Sequence, residues 1–81
     1  MTDPVVYVID DDEAMRESIA FLLDTADLGV RTYESATAFL EEAGSLTSGC
    51  IVTDVRMPEM SGLDLIQRLK DRSVALPVIV I

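Results

Sequence analysis

Four short apolar runs recur along the chain at intervals that a helix can fill, and this alternation constrains the fold more than any other feature. Val5 to Ile9, Val30 to Tyr33, Cys50 to Thr53 and Val78 to Ile81 are rich in β-branched residues and too short for helices. They read as strands. Between the first two, Met15, Ile19, Leu22, Leu23 and Ala26 recur at helical spacing, interleaved with Arg16, Glu17 and Asp24. That pattern predicts an amphipathic helix of about three turns. Asp12 is its expected N-cap, and Gly29 ends the connection. Ser35 is placed to cap a second helix running through Glu42, with Ala36, Phe39, Leu40 and Ala43 turned inward. Gly44 to Gly49 reads as a polar turn. Leu63, Ile66 and Leu69 mark the inward stripe of a third helix, with Gln67, Arg68 and Lys70 facing water, and Pro77 introduces the last strand.

The resulting order is β-α-β-α-β-α-β. Continuous apolar strands alternating with helices belong to parallel sheets covered on both faces. Right-handed crossovers then restrict the topology. No repeat and no linker interrupts the 81 residues, so residues 1–81 form one unit. With 49% hydrophobic residues the chain folds rather than staying disordered. Its stability is expected to be modest, because a chain this small buries only about 60–65% of its unfolded surface.

The balance of 15 acids against 6 bases gives a net charge of −9. Phosphate backbones and anionic membrane surfaces repel such a chain. Divalent cations and basic proteins suit it. The lone cysteine, Cys50, cannot form an internal disulfide and is expected to be a small buried hydrophobe. The N-terminus has no basic segment of a signal peptide, and no apolar run approaches the length of a membrane span. A cytoplasmic location is expected.

The charges at the strand ends carry the chemistry. In a parallel α/β sheet the carboxyl ends of the strands open on one edge, and ligands bind there at the switch point of strand order. The first strand ends in Asp10-Asp11-Asp12 and the third in Asp54. If these strands are neighbours, at least three carboxylates converge. Their mutual repulsion calls for compensation, and a hard divalent cation such as Mg2+ supplies it through oxygen ligands. The absence of histidine and the single cysteine exclude zinc sites built on imidazole or thiolates. A carboxylate beside such a cation is also a nucleophile able to form an aspartyl phosphate. The alternative is that Asp54 merely caps the turn before Met57.

Two stretches, "VYVIDDDEAMRESIAFLL" and "IVTDVRMPEMSGLDLI", together closely resemble the receiver domain of bacterial two-component response regulators. The "SATAFLEEA" and "RMPEMSG" segments look most like the FixJ branch, whose members usually carry a LuxR-type DNA-binding output domain. The resemblance implies a flavodoxin-like (CheY-like) α/β fold with strand order 2-1-3-4-5. This chain would supply β1-α1-β2-α2-β3-α3-β4, order 2-1-3-4, with strand five and the last two helices absent. It implies that Asp54 accepts a phosphoryl group from a phosphohistidine on a sensor histidine kinase. It also implies that Mg2+ is held directly by Asp11, Asp54 and the backbone carbonyl of Arg56, and by Asp10 through water. Asp12 falls outside the metal set and belongs to the helix start. Pro58 and Gly62 shape the loop, and Met57 and Met60 serve packing.

The family pattern continues with a Ser or Thr after strand four, a Lys at the end of strand five and a nearby aromatic. Lys70, the only lysine, lies on the third helix and does not match that Lys. The chain is therefore expected to be a fragment that self-associates through strand four or the uncovered sheet face. An interaction-only module without phosphorylation is the competing function. A dehalogenase-like phosphohydrolase is disfavoured, since "EAMRE" lacks the small residues that its D-x-D motif requires. A calcium loop is excluded by Met15 where such a loop needs glycine.

Overall fold

The computed structural model describes residues 5–43, 48–56 and 60–81. Strands β1 (Val5–Ile9), β2 (Gly29–Tyr33), β3 (Cys50–Thr53) and β4 (Val78–Val80) form one sheet in the order β2-β1-β3-β4, every pair parallel. Helices α1 (Glu13–Thr25), α2 (Ala36–Ala43) and α3 (Gly62–Asp71) make the connections. The chain moves one way from β1 to β2, then reverses to reach β3 and β4. With right-handed crossovers, that reversal sends α1 to one face of the sheet and α2 and α3 to the other.

The α2/α3 face holds the core. Tyr7 and Ile9 of β1 and Ile51 of β3 pack with Ala36, Phe39, Leu40 and Ala43 of α2 and with Leu65 and Leu69 of α3. Helix α2 buries the four residues that its spacing predicts, and the Ser35 hydroxyl caps it by accepting from the Ala38 amide at 3.1 Å. Tyr7, Tyr33 and Phe39 form an aromatic cluster, with the Tyr33 and Phe39 rings edge to face and 5.2 Å apart. Gly49 enters β3 at φ 125°, and a Cβ there would stand 2.4 Å from the Val5 carbonyl oxygen, so only glycine fits.

The α1 face is covered differently. Asp12 caps the helix as expected, accepting from the Met15 amide at 3.2 Å. Yet α1 buries no residue fully; Met15 is 51% and Leu22 65% exposed, and Ala26 is exposed too. The expected inward stripe is wider than the surface available to it. The helix lies over β1 and β2, where it buries Val8, and among the described residues nothing packs on its outer flank. The turn after α1 also departs from expectation. Asp27, not a glycine, takes the left-handed conformation at φ 61°, and Gly29 is already the first residue of β2.

Of the expected α3 stripe Leu63, Ile66 and Leu69, only Leu69 is buried; Ile66 is half-buried, Leu63 is 64% exposed, and Leu65 is buried in its place. The capping box of Ser61 and Asp64 sets where the helix starts and hence its rotation, which differs from the one the apolar spacing predicts. Gln67, Arg68 and Lys70 face water as expected. Cys50 is half-buried rather than buried, because the strand side it occupies alternates with that of Ile51. The polar turn expected at Gly44 to Gly49 lies largely outside the described residues, as do Met57 and Pro58.

These two leucines give a direct test of the α3 register. Leu65→Ala is expected to cost about 2–5 kcal/mol by opening a cavity under α3, enough to leave so small a chain largely unfolded. Leu63→Ala is expected to change stability by no more than about 0.5 kcal/mol. Urea unfolding followed by circular dichroism measures both.

Candidate metal centre

The pairing of β1 with β3 decides where the charges lie. Ile9 is in register with Thr53, and the Asp54 amide donates to the Ile9 carbonyl at 3.3 Å. Asp10 and Asp54 therefore leave the sheet side by side. They do so at the switch point, between the strand whose connection runs to β2 and the strand reached by the returning chain. One carboxylate oxygen from each of Asp10, Asp11 and Asp54 lies within 4.8 Å of the others. The open condition in the sequence reading, that strands one and three be neighbours, is met.

The three carboxylates differ in setting. Asp10 is only 2% exposed, Asp54 is half-buried and Asp11 is exposed. The Asp10 carboxylate accepts from the Asp12 amide at 2.9 Å, and its own amide donates to the Tyr33 carbonyl at 3.1 Å. Burial pushes the Asp10 carboxyl above its ordinary value. The bond from the Asp12 amide pulls it back, while the charges of Asp54, Asp11 and Asp12 push it further up. Asp54 accepts from the Arg56 amide at 3.1 Å, a tight turn that folds the backbone of residue 56 beside it and leaves its second oxygen outside that bond. Asp12 points away into its capping role.

The floor of the site is held by close backbone contact. The Gly62 amide donates to the Val55 carbonyl at 3.1 Å, and a Cβ on Gly62 would stand 2.8 Å from the Asp54 carbonyl oxygen. Thr53, fully buried, donates its hydroxyl to the same Asp54 carbonyl at 3.2 Å. The start of α3 thus presses directly on the backbone that carries Asp54. Met60 packs against the core, in line with the packing role expected of it. Sequence reasoning missed three contacts: the Gly62 approach, the Ser61–Asp64 capping box and a bond from Arg16 to the loop. Only the capping box has a local signature, Ser-x-x-Asp before an apolar residue. The other two depend on how the loop after β3 folds back and on how a long side chain is directed.

The response regulator receiver domain family matches residues 6–81. The FixJ transcriptional regulatory protein of Bradyrhizobium diazoefficiens is 47% identical over 75 residues, covering 93% of this chain and 37% of that protein. FixJ of Azorhizobium caulinodans is 55% identical over 75 residues, covering 93% of this chain and 36% of that protein. The chain therefore spans little more than a third of the length of these relatives. Among solved structures, FixJ-N superposes with a TM-score of 0.93 at 42% identity, over 99% of this chain and 64% of that one. Full-length FixJ from B. japonicum superposes at 0.90 with 45% identity, over 99% of this chain and 39% of that one.

Two substitutions probe the site without any ligand. An acid whose carboxyl is raised in the folded state binds its proton more tightly there than in the unfolded chain, so stability falls as pH rises through the raised value. Asp10→Asn, which keeps an oxygen for the Asp12 amide, is expected to raise the urea midpoint of the metal-free chain at pH 7. Its advantage over wild type should vanish below about 3.8, the ordinary value for the carboxyl, where both side chains are neutral. Gly62→Ala is expected to destabilise by about 1–3 kcal/mol, since the clash is with backbone. It should also shift the Asp54 amide resonance in 1H–15N NMR spectra.

Proposed function

The chain belongs to the response regulator receiver family, of the FixJ type, and we propose that Asp54 is its phosphoacceptor and that Asp10, Asp11 and Asp54 hold Mg2+ for the transfer. The observation that carries this reading is the convergence of the three carboxylates at the switch point, with all three oxygens within 4.8 Å. The donor set fits the ion: hard carboxylate oxygens, with room on the exposed Asp11 side for water and phosphate oxygens. Asp11 and Asp54 are the direct ligands in this reading, Asp10 acts through water, and the carbonyl of Arg56 completes the protein's share. When bound, Mg2+ supplies positive charge that offsets repulsion between the acids and an incoming phosphoryl group.

The protein's own contribution is aim. Asp54 stands at the end of a strand whose register is fixed on both sides, by β1 and by β4. One carboxylate oxygen is engaged by the Arg56 amide, which leaves the other to attack phosphorus in line with the bond to be broken. In the proposed reaction that oxygen forms a bond to phosphorus as the bond from phosphorus to the imidazole nitrogen of the kinase phosphohistidine breaks. The leaving nitrogen retains the electron pair. Receiver domains are signalling domains rather than classical enzymes, and slow hydrolysis of the acyl phosphate is the only turnover proposed. The partners proposed are a sensor histidine kinase and, in the parent protein, an output domain of LuxR-type DNA-binding class; the location proposed for this chain is cytoplasmic. No helix among the described residues is long and apolar enough to cross a membrane. The surplus of negative charge argues against direct nucleic-acid binding by these residues.

A self-associating role for the 81-residue chain is the second reading. In β4, Pro77, Ile79 and Ile81 direct their backbone groups toward β3, so those of Val78 and Val80 face outward along the sheet edge. Val78 packs on the core, which places Ile79, 52% exposed, on the opposite face beside an open stretch of sheet. We propose pairing of two copies through this edge or face. Light scattering that gives the mass of one compact chain would sink it.

The experiment for the main reading is intact mass after incubation with acetyl phosphate. A phosphoryl adduct is expected on the wild type only with Mg2+, and none on Asp54→Asn. A folded wild type that gains no adduct, or an Asp54→Asn chain that gains one, overturns the assignment of Asp54.

A further inference from the structure

The carbonyl oxygen of Asp10 has lost its place in the sheet. In a parallel ladder a residue sends its N–H and its C=O to the same neighbouring strand. The Asp10 amide goes to Tyr33, so its carbonyl points to the same side, where β2 has already ended. A backbone acceptor at a half-closed strand end needs another partner. Arg16, half-buried in the first turns of α1, supplies it: its Nη1 donates to the Asp10 oxygen at 2.7 Å. The backbone that carries Arg16 is itself fixed, because its amide donates to the Asp12 carbonyl at 2.9 Å within the capped start of the helix.

The oxygen that Arg16 holds belongs to the planar peptide unit joining Asp10 to Asp11. Fixing that oxygen therefore fixes the plane and, with it, the direction in which Asp11 leaves the loop. The Asp10 side chain is steadied separately by the Asp12 amide. Asp11 itself is exposed, and Arg16 reaches its peptide from the helix. We propose that Arg16 is a positioning residue that orients Asp10 and Asp11 for a divalent cation by clamping the peptide between them. This rests on the metal-site reading above. Arg16 touches neither the ion nor the phosphoryl group in this scheme; it acts through the loop, as groups behind metal ligands do elsewhere.

Charge alone predicts the opposite outcome, which makes the test decisive. Removing a cation close to an acidic cluster should favour Mg2+ binding. Loss of the clamp should weaken it. Isothermal titration of the 81-residue chain with MgCl2 is expected to show a Kd raised about tenfold in Arg16→Met. In Arg16→Lys, which retains a charged donor, the Kd should stay within about threefold of wild type. Arg16→Gln, whose amide stops short of the carbonyl, serves if the Met variant does not fold, and should weaken binding like it. A Kd for Arg16→Met or Arg16→Gln that is unchanged or tighter, even with lowered thermal stability, overturns the clamp and leaves only a structural role. A wild type that never saturates, matching an Asp11→Asn control, overturns the metal site and the clamp with it.

Discussion

The parallel pairing of β1 with β3 is the interaction on which the rest depends. It brings Asp10 and Asp54 off adjacent strand ends in the same register and adds Asp11 one residue later. Carboxylates held that close oppose folding through their repulsion, and the buried one opposes it further through lost hydration. The opposing force comes from the same strands. Val8, Ile9 and Ile51 are fully buried immediately behind the charges, and removing such side chains from water stabilises by about 1.5–3 kcal/mol each. The site and the core are thus coupled: the residues that hold the sheet together also set the spacing of the acids.

Around that pair, the backbone is held by polar bonds that have no slack. The amide of Asp10 is tied to β2, its side chain to the Asp12 amide and its carbonyl to Arg16. Asp54 is tied to Ile9 through its amide, to Thr53 through its carbonyl and to Arg56 through its carboxylate. Gly62 lets α3 approach this backbone more closely than any side chain would permit. A binding site needs such support because a carboxylate aimed only by its own rotamers would lose orientation at each turn of its χ angles. Here each acid is constrained from a different structural element, so a disturbance in α1, β2 or α3 reaches the site through a named bond.

The two faces of the sheet are unequal. One carries the aromatic cluster and the buried stripes of α2 and α3; among the described residues the other is covered by α1 alone, which leaves Phe21 68%, Leu22 65% and Ile81 54% exposed. This chain superposes over 99% of its length on FixJ-N and covers 64% of that structure. An apolar surface of this kind is a place for contact with further protein, and it lies on the face opposite the core, away from the α2–α3 side.

Local pattern alone determined the elements. The β-branched runs, the Ser35 and Asp12 caps and the α2 stripe are each encoded within a few residues, because strand and helix periodicity and capping are short-range effects. The parallel sheet and the candidate acids were legible for the same reason: strands ending in charge announce the edge where a ligand binds. What α1 and α3 bury was not legible. Leu22 and Leu63 share their spacing with inward residues, and only the extent of sheet beneath α1 and the capped start of α3 decided which side faces water. The neighbourhood of β1 and β3 follows the order 2-1-3-4 that the family resemblance implied, although periodicity alone leaves it open. The reach of Arg16 to the Asp10 carbonyl and the contact of Gly62 with Asp54 were decided by tertiary structure. Each joins segments through space, and a sequence records such contacts only as the permissive presence of a glycine or a long cationic side chain.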